Sequence, residues 1–162
     1  MADERIRILN ELWEAEDESF DLMQEYDSLP HHYGSRVLYQ AEAYIVNWIG
    51  RIPDITTTEL AKELKKTPSA CSQIIRKLVD QGLVVQNRNP DNKRVYNLRL
   101  TEDGQRLYQD HIVFNQMCQK ITFDMLEQFT LGELETFLRV RRCINEAYRG
   151  DVRRSRERYA GE

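Results

Sequence analysis

The sequence predicts a mainly α-helical fold with one small β wing, and three features of its 162 residues carry that prediction. Two short helical stretches lie in tandem, the second opened by Thr67-Pro68 and closed by Gly82. Directly after Gly82 the apolar period changes from helical to alternating, over 83–88 and again over 94–100. Long helical stretches flank this segment on both sides. A tandem helix pair followed by a strand pair is the pattern of a winged helix-turn-helix.

In chain order, residues 3–27 read as one helix with Ile8, Leu12, Phe20 and Met23 at roughly helical spacing. Leu29 to Ser35 reads as a break, because Pro30 and Gly34 both interrupt helical periodicity. A second helix is expected from about Val37 to Gly50, with Leu38, Ala41, Ile45, Trp48 and Ile49 on one side. Thr56 and Glu59 fit a capping box, and the short helix they open turns Leu60, Ala61 and Leu64 inward. The next helix runs from Thr67-Pro68 to Gln81 with Cys71, Ile74, Ile75 and Leu78 inward. Its other face carries Ser69, Ser72, Gln73, Arg76 and Lys77. The two strands are joined by the turn-rich Asn89-Pro90-Asp91-Asn92-Lys93. Thr101-Glu102-Asp103 caps a long helix to about Gln128, and Thr130 to Glu133 start another with Leu134, Phe137, Leu138, Arg141 and Ile144 in one stripe. Residues 36–101 are thus expected to form the winged module. Residues 1–35 and 102–162 are expected to form a helical dimerisation region, because such long apolar stripes exceed what one small module can cover.

Composition narrows the function. Charged residues are 31% and hydrophobic ones 41%, so a packed core is expected and wholesale disorder is not. No apolar run approaches the roughly 18–20 residues of a membrane span, and the acidic start Met1 to Arg5 is unlike a secretory signal. Cys71, Cys118 and Cys143 are widely spaced and odd in number, against a disulfide scaffold or a zinc ribbon. A cytoplasmic protein is the expectation. Motifs for catalysis are missing: there is no GxSxG, P-loop, GxGxxG or HExxH, so no enzymatic activity is expected.

The net charge of −4 conceals a segregation. Residues 1–60 carry four basic and thirteen acidic side chains, whereas residues 61–99 carry nine basic and three acidic. The local field decides polyanion binding, so this middle block is the candidate nucleic-acid face. A recognition helix of thirteen residues spans roughly 20 Å, enough to lie in a major groove. Ser69, Ser72 and Gln73 offer short hydrogen bonds, and Arg76 can reach a guanine or a phosphate. Arg88, Lys93 and Arg94 give the strand pair a cationic tip suited to the adjacent minor groove. The full candidate interface is Thr58, Pro68, Ser69, Ala70, Ser72, Gln73, Arg76, Lys77, Arg88, Lys93 and Arg94.

Three phrases carry a family resemblance: Ile55-Thr56-Thr57-Thr58-Glu59-Leu60-Ala61, Leu78-Val79-Asp80-Gln81-Gly82-Leu83-Val84, and Leu100-Thr101-Glu102-Asp103-Gly104. In this order the chain resembles the MarR family of bacterial transcription regulators. The resemblance implies a homodimer on pseudo-palindromic double-stranded DNA, usually a repressor, whose complex small molecules weaken. Two positions depart from the family pattern. The wing's usual Asp-x-Arg has Asn92 before Arg94, with Asp91 adjacent, and Lys66 stands where relatives often place an apolar residue. Its stem can still pack while the amine reaches solvent or phosphate.

The family's effector pocket lies between the dimer region and the helix-turn-helix, which implies Trp13, His32, Tyr33, Tyr44, Trp48, His111 and Phe114 as its aromatic lining. Metal-sensing relatives imply a second reading, a metal-responsive regulator, for which His31, His32, Glu42, His111 and Cys118 are the available donors. No histidine pair here has a ligand spacing of four, and no metal or other cofactor is expected. Peroxide-sensing relatives use a cysteine in the N-terminal half. Cys71 is the first here, and it shares the inward face with Ile74 and Ile75. A third reading, a winged-helix protein-interaction module without DNA binding, is disfavoured by the polar outer face and the basic block.

Overall fold

A computed structural model describes residues 2–90 and 92–159. They divide into two compact units, one through Gln116 and one from Met117 onward. The first holds α1 (Ala2–Ser28), β1 (Pro30–Tyr33), β2 (Arg36–Tyr39), α2 (Gln40–Arg51), α3 (Thr57–Glu63), α4 (Pro68–Asp80), β3 (Val84–Arg88), β4 (Tyr96–Leu100) and the N-terminal part of α5 (Glu102–Leu126).

The stretch expected to be a break is an antiparallel hairpin. Pro30 pairs with Tyr39 and Tyr33 with Arg36, around a turn with Gly34 at φ 58°. Its residues alternate, His31 and Tyr33 turning inward from β1 and Leu38 from β2. The second helix therefore starts at Gln40 rather than Val37. The Glu42 carboxylate accepts the N–H of Tyr39 at 2.9 Å, closing the helix N-terminus where no Ser, Thr, Asp or Asn is available.

The helix pair is framed by the caps its sequence implied. Thr56 Oγ1 accepts the N–H of Glu59 at 3.3 Å, and Glu59 Oε2 accepts the N–H of Thr56 at 2.8 Å. Such caps contribute about 1 kcal/mol each. The Thr56 N–H, and the Thr56 hydroxyl that also donates to Glu59 Oε2 at 2.7 Å, hold the Glu59 carboxyl below the usual carboxylate range. At the end of α3, Lys65 sits at φ 52°. Its N–H reaches Lys62 O at 3.2 Å, and the N–H of Lys66 reaches Ala61 O at 2.9 Å. This is a Schellman closure on a residue that is not glycine.

Helix α4 opens with Thr67 Oγ1 accepting the N–H of Ala70 at 3.2 Å and Pro68 in the first turn. It ends in the same motif, on Gly82 at φ 71°, with Leu83 N–H on Leu78 O at 2.9 Å. That bond sets Leu83 beside Leu78, and both are fully buried. The core gathers Ile45, Val46 and Ile49 of α2, Leu60 and Ala61 of α3, Cys71, Ile75 and Leu78 of α4, and Leu98 and Leu107. Ile74, expected inward, packs half-buried at its rim.

The wing pairs Val84 with Leu100 through Arg88 with Tyr96. A short third edge joins it: Asp54 N–H bonds Leu98 O and Leu98 N–H bonds Ile55 O, each at 3.0 Å, with a bridge from Thr56 to Asn97. The Arg99 guanidinium forks onto Asp54, with Nε to Oδ1 at 2.6 Å, and holds that carboxyl below its ordinary value. Thr101 then starts α5. Its hydroxyl donates to Gly82 O at 2.7 Å and accepts from Gly104 N–H at 3.0 Å.

The second unit holds the rest of α5, which ends at Leu126, and α6 (Leu131–Tyr159). Thr130 and Glu133 cap α6 reciprocally, with Thr130 N–H to Glu133 Oε2 at 2.8 Å. Apolar side chains stay exposed in each unit: Ile8, Leu12, Phe20 and Met23 on α1, and Phe123, Leu131, Phe137 and Leu138 in the second. No helix among the described residues is long and apolar enough to cross a membrane.

Candidate nucleic-acid interface

One helix supplies the centre of the site. Helix α4 is two-sided: Cys71, Ile75 and Leu78 are fully buried, while Pro68, Ser69, Ser72, Gln73 and Arg76 face solvent. Ala70 is half-buried beside its cap, and Thr58 is exposed in the first turn of α3. Ser72 Oγ donates to Pro68 O at 2.8 Å, which leaves its lone pairs for an outside donor. Among the described residues, Ser69, Gln73 and Arg76 make no side-chain bonds that would hold them to the protein.

Lys77 differs from its neighbours. Its ammonium pairs with the Glu42 carboxylate of α2 and lies 5.7 Å from the centre of the Tyr39 ring. Arg99 is likewise committed to Asp54. The positive field of the middle block therefore comes from Lys62, Lys65, Lys66, Arg76, Arg88, Lys93 and Arg94, all exposed.

The wing tip is built from asparagines. Asn92 Oδ1 accepts the N–H of Arg94 at 3.1 Å, and Asn89 Oδ1 accepts the N–H of Asn92 at 3.0 Å. Asn89 Nδ2 donates in turn to Asn97 Oδ1 at 3.0 Å. Asn92, in the place of an aspartate, thus orders the turn with its amide oxygen. Asp91, the adjacent acid, lies outside the described residues. Arg88, Lys93 and Arg94 are exposed around this tip.

The seven aromatic positions read as one lining fall in separate places. Tyr44 and Trp48 line a cleft of about 480 Å³ together with Asp27, Gln40, Ala41, Glu63, Leu64 and Lys66. Tyr33, His111 and Phe114 pack with His31 in an aromatic cluster, with Tyr33 centred 5.3 Å from His111 and 5.0 Å from Phe114. Trp13 and His32 are exposed and line neither. Asp27 and Glu63 were missed because nothing local marks an acid on a helix flank as cleft-facing. Lys66, which departs from the family pattern, also lines this cleft.

Three of the five candidate metal donors have other partners. His31 Nε2 bonds Tyr26 O at 2.9 Å, Glu42 holds Lys77, and the Asn115 amide sits 3.3 Å from His111 Nδ1. Burial pushes the His111 imidazole below its ordinary value. His32 is exposed and Cys118 half-buried. Among the described residues no three His, Cys, Asp or Glu side chains are grouped to hold an ion. Cys71 is fully buried, and burial raises its thiol, opposite to what a reactive cysteine needs.

Residues 38–95 match the sequence profile of the MarR family. The chain is 27% identical over 92 residues to YsmB of Bacillus subtilis, an uncharacterized HTH-type transcriptional regulator, covering 57% of this chain and 61% of that one. It is 34% identical over 74 residues to the HTH-type transcriptional regulator PetP of Rhodobacter capsulatus, covering 46% of this chain and 42% of PetP. The chain thus spans less than two thirds of either relative. In structure it is similar to ZitR of Lactococcus lactis, described as a zinc-responsive MarR family member. The TM-score is 0.75 at 17% identity, over 87% of this chain and 99% of ZitR. ZitR in complex with DNA superposes with a TM-score of 0.69 at 19% identity, over 85% and 97%. The capping box, both Schellman closures and the wing tip all fall inside the segment that matches the MarR family.

Proposed function

We propose that the protein is a homodimeric, sequence-specific DNA-binding transcriptional regulator, a repressor whose grip on a pseudo-palindromic operator a small molecule relieves. The observation that carries this reading is the outer face of α4. Ser69, Gln73 and Arg76 are exposed and unengaged on a helix whose other face is locked into the core. A solvated helix face needs no such block of cations beside it, nor a basic wing at Arg88, Lys93 and Arg94. Residues 36–101 are the DNA-reading module in this proposal, and residues 1–35 and 102–162 the dimerisation region. The exposed apolar side chains of α1 and of α6 support a second copy as their cover. The protein acts in the cytoplasm, where the chromosome is.

The relieving ligand is assigned to the cleft at Tyr44 and Trp48, which combines two aromatic walls with the polar groups of Asp27, Gln40 and Lys66. A metal effector is the less supported alternative, because His31, Glu42 and His111, three of its five candidate donors, are bonded elsewhere. Selection of bound fragments from the organism's own genome tests the main reading. A recurrent site with twofold symmetry and half-sites about 10 base pairs apart supports it. Recovery of no fragment over random background, at low and moderate salt, sinks it.

A further inference from the structure

Lys77 lies on the recognition helix next to Arg76, half-exposed, yet its ammonium pairs with a buried carboxylate on another helix. Glu42 is only 5% exposed. One of its oxygens accepts the Tyr39 N–H at 2.9 Å, and the other takes Lys77. A carboxylate buried to this degree demands a partner, and removing one side of such a pair leaves an uncompensated charge. The amine is therefore tied to Glu42, although its side chain stays half-exposed. The inward face of α4 is apolar, with Cys71, Ile75 and Leu78 in the core and Ile74 and Val79 at its rim, and attraction of that kind is non-directional. An ion pair at one edge of the helix sets its rotation about the helix axis.

Resting on the DNA-binding reading above, we infer that Glu42 and Lys77 are a positioning pair that sets the rotational register of α4, so that its outer face meets base edges. At the outer radius of a helix, roughly 5–6 Å, a turn of about 10° displaces a side-chain tip by about 1 Å. That is enough to break a hydrogen bond from Ser69 or Gln73 to a base. Long cationic side chains on phosphates follow such a shift easily. Loss of the pair therefore lowers specificity first and leaves the phosphate contacts in place.

The test uses the full chain, a genomic fragment it selects, and a random-sequence duplex of the same length, each titrated across salt concentrations. Lys77→Met and Glu42→Gln should each weaken the selected fragment on the order of 2- to 30-fold, a range typical of residues that act at a distance. The random duplex and the salt slope should not change. The double variant should be no weaker than the singles, and Lys77→Arg should restore most of the preference. Should Glu42→Gln fail to fold, Lys77→Met and Lys77→Arg decide the matter by the same ratio and slope. If Lys77→Met weakens both duplexes alike and flattens the salt slope by about 0.9, Lys77 is a phosphate contact and the inference is overturned. No effect of Lys77→Met also overturns it. A wild type that selects no fragment defeats the DNA-binding reading itself, a different result from a selective wild type with an indifferent Lys77.

Discussion

A Cβ placed on Gly104 would lie 2.0 Å from the carbonyl oxygen of Leu83. That oxygen is already the acceptor for Thr101 N–H at 3.1 Å, so the start of α5 and the end of α4 share one bonded contact without a side chain between them. The second and third phrases that resemble the family meet here. Leu78 to Val84 supplies the helix end, and Leu100 to Gly104 the helix start. Gly104→Ala must push backbone apart and stretch the Thr101 bond. Overpacking of about 1–3 kcal/mol plus a weakened hydrogen bond of about 1 kcal/mol gives a loss of roughly 2–4 kcal/mol. Gly132→Ala is the control, because nothing lies within 4 Å of its Cβ position, and denaturant melts should place it at or above wild type.

Lys65 holds the left-handed turn between α3 and α4 at φ 52°. An L-residue there costs roughly 1–2 kcal/mol, and glycine removes that cost while adding freedom to the unfolded chain. Lys65→Gly should therefore stabilise by about 0.5–1 kcal/mol, read as a Tm about 1–4 °C higher. Lys65→Ala keeps the strain and should give no gain. A Tm for the glycine variant below that of the alanine variant would show that the turn does not need this conformation.

What the sequence disclosed and what it hid separate by distance along the chain. Thr56 with Glu59, Thr67 with Pro68, and Gly82 act within a few residues, so their roles were legible as local chemistry. The hairpin of 30–39 was not, because Pro30 and Gly34 were read as punctuation. A Gly34-Ser35 pair between two four-residue runs was nonetheless a turn signal. The partners Glu42 and Lys77, or Asp54 and Arg99, are joined only by the packing of remote elements. No periodicity announces such pairs, which is why Lys77 looked like one more outward cation. The aromatic residues were visible as a set but not as two sets, since burial of Tyr33 and His111 against exposure of Tyr44 depends on where the hairpin folds.

His111 gives stability a pH dependence of fixed sign. It is 1% exposed, and burial holds its imidazole below the ordinary value of 6.5. Between 6.5 and that lower value the unfolded chain binds a proton that the folded one refuses. The stability contributed by the neutral ring is thus fully present above pH 6.5 and is lost as pH falls toward the folded-state value. Urea titrations from pH 8 to pH 5 should show this decline, and His111→Leu should flatten it. An unchanged slope in the variant would place the decline on other groups.

The wing offers the sharpest test of the interface. Arg94 is exposed at a tip whose turn is fixed by Asn92 Oδ1 on its own N–H, so its side chain can be removed without undoing the turn. Each phosphate neutralised adds about −0.9 to the slope of log K against log salt. Arg94→Ala should therefore weaken binding to a selected genomic fragment and make the slope shallower by about 0.9 if the contact is to phosphate. If instead the guanidinium sits in a narrow minor groove, the loss should be greatest on A·T-rich flanks, where the groove's negative potential is deepest. Arg142, exposed on α6, is the matched control: it carries the same charge outside the basic block, and its alanine variant should change neither affinity nor slope. Equal losses at the two positions would mean that net charge rather than the wing carries the binding, and the assignment of Arg88, Lys93 and Arg94 to the interface would have to be abandoned.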